Sequence, residues 1–105
     1  MSKLINLLYE IKKKPAIYIG EMSITKLSMF LGGYHYAYWE LGIAQSGDDQ
    51  LLEAFQGWIQ TRFNVQISQS WNNIILFHSP NEQEAFENFY ELLNEFLESY
   101  DEPKE

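Results

Sequence analysis

The sequence predicts an all-α fold: a compact single-domain bundle of about five helices across its 105 residues. Two observations carry that expectation. Apolar residues recur mostly at helical spacing, and capping residues, prolines and glycines fall where those apolar stripes end. No convincing pair of strands competes with this pattern. Hydrophobic residues make up 46% of the chain and aromatics 16%, enough for a real core without staples.

Ser2 can cap a first helix whose inner face is Leu4, Leu7, Leu8 and Ile11. Lys12, Lys13 and Lys14 then sit where cations suit the helix dipole, and Pro15 disfavours helix at Lys14 and ends it. A second helix is expected after Ser23, running to about Leu41 with Gly42 as its stop. Ile24, Leu27, Phe30, Leu31, Tyr34, Tyr38 and Leu41 project within about 120° of one another on it. Gly32 and Gly33 interrupt its middle at about 1 kcal/mol each relative to alanine, which predicts a close helix crossing or a kink.

SGDDQ at 46–50 reads as a turn with Asp48 or Asp49 as N-cap of a third helix, whose face is Leu51, Leu52, Phe55, Trp58, Ile59 and Phe63. Val65 and Ile67 alternate with polar residues, so a short extended segment near 64–69 is an alternative to loop. Ser70 before Trp71, Ile74, Ile75 and His78 predicts a short fourth helix. In the last helix Ser79 is the expected N-cap, Pro80 its first residue and Glu82 the partner in a capping box. Phe86, Phe89, Leu93, Phe96, Leu97 and Tyr100 share its inner face, and a disordered acidic tail is expected from about residue 101.

The net charge of −8 is concentrated at one end. From Glu82 onward nine acids (Glu82, Glu84, Glu87, Glu91, Glu95, Glu98, Asp101, Glu102, Glu105) face Lys104 alone, while upstream acids and bases cancel. Direct nucleic-acid binding is disfavoured, because phosphate contacts need clustered lysine and arginine. No apolar run approaches the ~20 residues of a membrane span, and no secretion signal opens the chain, so a cytoplasmic location is expected.

Chemistry has few footholds. With no cysteine, disulfides and thiolate catalysis are excluded, and the two histidines, His35 and His78, lack partners at metal-ligand spacing. Adjacent Asp48 and Asp49 diverge by ~100° on a helix, which suits capping better than a paired-carboxylate site. The string KKPAIYIG (13–20) resembles the K-R-P-G-M-Y-I-G run of gyrase B-type ATPases. The Asp-x-Gly-x-Gly such a site needs is absent, so the string reads as a helix stop and turn instead. No catalytic residue, cofactor or metal is expected.

The acidic stripe is more informative. Glu84, Glu87, Glu91, Glu95, Glu98 and Glu102 fall within about 60° of one another, opposite the aromatic stripe of the same helix. A solvated face would ordinarily mix charges, and like charges at i,i+4 repel by about 0.2–0.5 kcal/mol per pair. A row of carboxylates with no lysine on the same helix face suits docking into a cationic cleft. On the second helix, Met29, Tyr36 and Trp39 project away from the main stripe. They are either buried on a second side or exposed as interface anchors.

The segments Pro15-Ala-Ile-Tyr18-Ile-Gly20, Ser70-Trp71-x-x-Ile74-Ile75 and Glu84-Ala85-Phe86-x-x-Phe89-x-x-Leu92-Leu93-x-x-Phe96 together resemble small bacterial immunity proteins of polymorphic and contact-dependent growth-inhibition toxin systems. The resemblance covers most of the chain, through core and turn residues. It implies a cytoplasmic inhibitor that binds a cognate toxin, commonly a nuclease, and blocks its active site or substrate path. The expected partner is thus a basic toxin domain, met by Glu84, Glu87, Glu91, Glu95 and Glu98, with Tyr36 and Trp39 as anchors on a monomeric protein. Two alternatives remain open: a small-molecule or enzymatic pocket under the Gly32–Gly33 crossing, lined by Tyr18, Tyr34 and His35, and a homodimer built on the second helix's aromatics.

Overall fold

A computed structural model describes residues 2–43 and 46–100, and of Ser46 the backbone alone. Those residues form six helices: α1 (Lys3–Lys13), α2 (Pro15–Ile19), α3 (Ile24–Glu40), α4 (Ser46–Arg62), α5 (Trp71–Phe77) and α6 (Glu82–Ser99). The all-α architecture agrees with the hydrophobic periodicity. The extra helix is α2, a single turn that Pro15 opens with its preset φ. Lys14, forced out of helix before the proline, separates it from α1 at φ −135° and ψ 59°. The expected tail, with Glu102, lies outside the described residues.

Several helix ends follow the expected chemistry. Ser2 Oγ accepts the Ile5 N–H at 3.0 Å, and Ser23 Oγ accepts that of Lys26 at 3.1 Å. At the end of α3, Gly42 takes φ 69°, the Ile43 N–H reaches Tyr38 O at 3.0 Å and the Gly42 N–H reaches Trp39 O at 3.1 Å. That is a Schellman motif, and glycine enters the left-handed region it requires without a steric penalty. Asn64, at φ 54°, performs the same closure for α4 through Val65 N–H to Gln60 O at 2.8 Å. Having ended the helix this way, the chain runs to Ser70 without forming a strand; residues 64–69 have no partner strand among the described residues.

Two expected caps are displaced. Residues 46–50 are helical rather than a turn, so Asp48 and Asp49 occupy the first turn of α4, where negative charge complements the dipole without capping. For α6 the cap is Asn81, whose side chain accepts the Glu84 N–H at 2.8 Å. Ser79 lies too early; its hydroxyl donates to Ile75 O at 2.7 Å and accepts from Asn88 at 3.0 Å, tying the end of α5 to α6. Pro80 therefore precedes the helix.

Glu82, freed from any capping box, adds a second acceptor at the start of α3 beside its N-cap Ser23. Its carboxylate accepts the Thr25 N–H at 2.9 Å, the Thr25 hydroxyl at 2.7 Å and the Ser23 hydroxyl at 2.9 Å. Burial would raise its pKa, but the hydrogen bonds from Thr25 and Ser23 outweigh that and hold the carboxyl below its ordinary value. The starts of α3 and α6 are thereby clamped together.

The core draws on α1 (Leu4, Ile5, Leu8, Ile11), α3 (Ile24, Leu27, Leu31), α4 (Leu51, Phe55, Ile59), α5 (Ile74, Ile75) and α6. Phe55 is its aromatic centre, edge-on to Phe89, Phe96 and Trp71 at ring separations of 5.6, 5.4 and 5.9 Å. α6 buries Ala85, Phe86, Phe89, Tyr90, Leu92, Leu93 and Phe96. The Tyr90 hydroxyl donates to Leu8 O at 2.7 Å inside the core, and burial, then nearby Tyr9, pushes its pKa up. Leu41, expected on the inner face of α3, is 73% exposed: the helix ends at Glu40 and Leu41 is its C-cap.

Candidate functional site

Burying one aromatic face of α6 leaves the opposite face to solvent, and there Glu84, Glu87, Glu91, Glu95 and Glu98 are all exposed. A helix cannot turn its apolar stripe inward without presenting these carboxylates together. One of them has a cation, which comes from another element: Arg62 of α4 meets Glu95 at 3.3 Å, with both side chains about half exposed. Such pairs contribute only ~0–1 kcal/mol. Among the described residues no ion pair reaches Glu84, Glu87, Glu91 or Glu98. The face therefore keeps a concentrated negative potential.

Tyr36 and Trp39 are exposed, at 57% and 71%, rather than buried on a second side, and Met29, two turns earlier on α3, is 71% exposed. Their rings contact each other at 5.8 Å, giving an apolar patch on the outer face of α3. No hydrogen bond ties this patch to the acidic face among the described residues. Among the described residues every side-chain hydrogen bond linking the start of α3 to α6 runs to Glu82, and none involves Tyr36 or Trp39. The acidic row lies on α6 and the aromatic pair on α3.

Among the described residues no helix crosses α3 closely at Gly32 or Gly33. Both glycines are exposed, and a Cβ built on either meets nothing within 4 Å. What the structure has instead is a groove of about 620 Å³ between α3 and α4, lined by Ser28, Leu31, Gly32, His35, Asp49, Leu52, Glu53, Gln56 and Trp71 of α5. Of the residues expected to line a pocket only His35 belongs to this groove. Tyr18 packs on Phe30 instead. Tyr34 borders a smaller neighbouring cleft beside Tyr38, and burial, with the Tyr38 hydrogen bond adding to it, pushes its hydroxyl up to about 12.

Sequence reasoning missed the pairing of His35 Nδ1 with Asp49 Oδ1 at 3.1 Å, which bridges α3 and α4 at the groove. Fourteen residues separate the two, and no local pattern announces the contact. It also missed Gln56, whose side chain accepts the Trp71 N–H at 2.7 Å and donates to Gln69 O at 2.6 Å, fixing the start of α5 against α4. His78 stacks on Phe63 at 4.6 Å and plays a packing role.

No protein-family model, curated protein or solved structure matches this chain. No helix of the described residues is long and apolar enough to cross a membrane.

Proposed function

We propose that this protein is an immunity-type inhibitor that binds and neutralises a basic toxin domain by stoichiometric occlusion. A nuclease is the class of toxin that best suits the charge, because a cleft built for phosphates is cationic and a row of carboxylates partly imitates a phosphate backbone. The observation that carries this reading is the outer face of α6, where Glu84, Glu87, Glu91 and Glu98 are exposed together without a cation among the described residues. Charge so arranged raises association rates from the ordinary ~10⁵–10⁶ M⁻¹s⁻¹ toward ~10⁸ M⁻¹s⁻¹ at low salt.

Tyr36 and Trp39 add the second ingredient of a tight complex, exposed aromatics able to fill partner pockets. Because they carry no charge, truncating them should speed dissociation while the glutamates govern association. The inhibitor acts in the cytoplasm as a monomer in this account, and needs no cofactor.

The test is protection. A basic nuclease toxin domain that the chain captures in a pull-down from its source cells is expressed in a susceptible host with and without the chain; failure to capture any such domain counts against the proposal. Growth restored by the chain, and lost again when Glu84, Glu87 and Glu91 are all changed to Lys, supports the proposal. Killing that proceeds equally with the wild-type chain present overturns it.

A further inference from the structure

Gly32 sits mid-helix in α3, where glycine costs about 1 kcal/mol relative to alanine. No neighbour demands it, because a Cβ there would meet nothing within 4 Å, and its backbone is not in the left-handed region. It does line the α3–α4 groove, so any larger side chain at this position would project into that space. The groove's volume, about 620 Å³, lies within the ~300–1,000 Å³ of ordinary ligand sites.

The lining defines what fits. Leu31, Leu52 and Trp71 supply apolar surface, and Asp49 and Glu53 supply carboxylates one helical turn apart on α4. Among the described residues no lysine or arginine lines the groove, and its only basic lining group is His35, held at Asp49. Glu53 makes no ion pair among the described residues. An aromatic ring and two carboxylates around an apolar channel complement a cation carried on an apolar body.

We infer that the α3–α4 groove is a binding site for a small organic cation, with Glu53 and Asp49 receiving the charged group and Leu31, Leu52 and Trp71 the apolar body. Gly32 keeps the channel open. The site uses none of the α6 glutamates, so it stands or falls separately from toxin inhibition.

Benzamidine is a suitable probe, with neutral benzamide as its isostere, titrated into the ¹⁵N-labelled protein and followed by amide and indole N–H signals. The expected result is saturable shifts at the Trp71 indole, Gly32 and the Gln56 side chain with benzamidine and none with benzamide. Glu53→Gln should weaken binding about fivefold, the upper end for a partly exposed charge pair. Gly32→Leu, which fills the groove while improving helix propensity, should abolish it with the folded spectrum intact. Equal shifts from benzamide, shifts spread along the α6 glutamates, or undiminished binding to Gly32→Leu would overturn the inference.

Discussion

Glu82 and Thr25, 57 residues apart in sequence, are joined twice: the Glu82 carboxylate accepts both the backbone N–H and the side-chain hydroxyl of Thr25. A residue in the first turn of α6 therefore satisfies an otherwise orphaned donor at the start of α3. Glu82→Ala should cost about 1–3 kcal/mol, the range for a charge-assisted hydrogen-bonding group, with Glu82→Gln losing less. The pH dependence has a definite sign. The folded pKa lies below the ordinary glutamate value near 4.3, so the stabilisation is present above that value and is lost as pH falls through the folded pKa. Urea midpoints of wild type and Glu82→Gln should thus draw together as pH falls below the ordinary glutamate value, and hold their separation above it. Midpoints that stay parallel on both sides of that value would contradict the clamp.

The glycines of α3 separate stability from function. Gly33→Ala should stabilise by about 0.5–1 kcal/mol, because the added Cβ meets open space and the unfolded chain loses freedom. Gly33 lines no cavity described above, and the structure shows no role for it. Gly20 behaves oppositely: at φ 87° an alanine is strained by about 1–2 kcal/mol, so Gly20→Ala should lower the melting temperature. Thermal unfolding of the two variants beside wild type checks both signs.

Core substitutions should rank by burial and by ring contacts. Phe55→Ala removes the ring on which Phe89, Phe96 and Trp71 converge and should cost about 3–5 kcal/mol. Tyr90→Phe keeps the ring and loses only the hydroxyl bond to Leu8 O, a loss of about 0.5–1.5 kcal/mol by chemical denaturation. A Tyr90→Phe loss equal to that of Phe55→Ala would mean the packing is misassigned.

On the acidic face, stability and recognition should move in opposite directions. Replacing Glu87 and Glu91 together with Gln relieves like-charge neighbours on α6 and should stabilise by about 0.5–1 kcal/mol at low salt. Glu84 lies in the first turn, where its charge suits the dipole, so neutralising it brings no such gain. Glu95→Gln should be near neutral, because the pair it loses with Arg62 is solvent-exposed. The Glu87/Glu91 gain should fade as salt is raised to about 0.5 M, measured by urea midpoints at each concentration.

The inner faces of α1, α4 and α6 were legible because a 3.6-residue period leaves a direct trace in residue order, as at Leu4, Leu8 and Ile11. Cap positions were legible where one polar residue stood alone, as at Ser2 and Ser23. Before α6 two candidates, Ser79 and Asn81, lay two residues apart, and only the end of α5 decides which is free to cap. The acidic and aromatic features came through because each lies on one helix. The α3–α4 groove and the His35–Asp49 contact did not, since they depend on how two helices are set apart by α5. Gly32 was visible as an anomaly, but its sequence neighbours do not say whether a helix or a cavity lies beside it.

The most direct test of toxin recognition by α6 is the association rate between this protein and its basic toxin domain, measured by stopped flow from 50 to 500 mM salt. The account predicts at least a tenfold fall across that range, and a similar fall at 50 mM when Glu84, Glu87 and Glu91 are changed to Lys. An association rate indifferent both to salt and to those three reversals would contradict it.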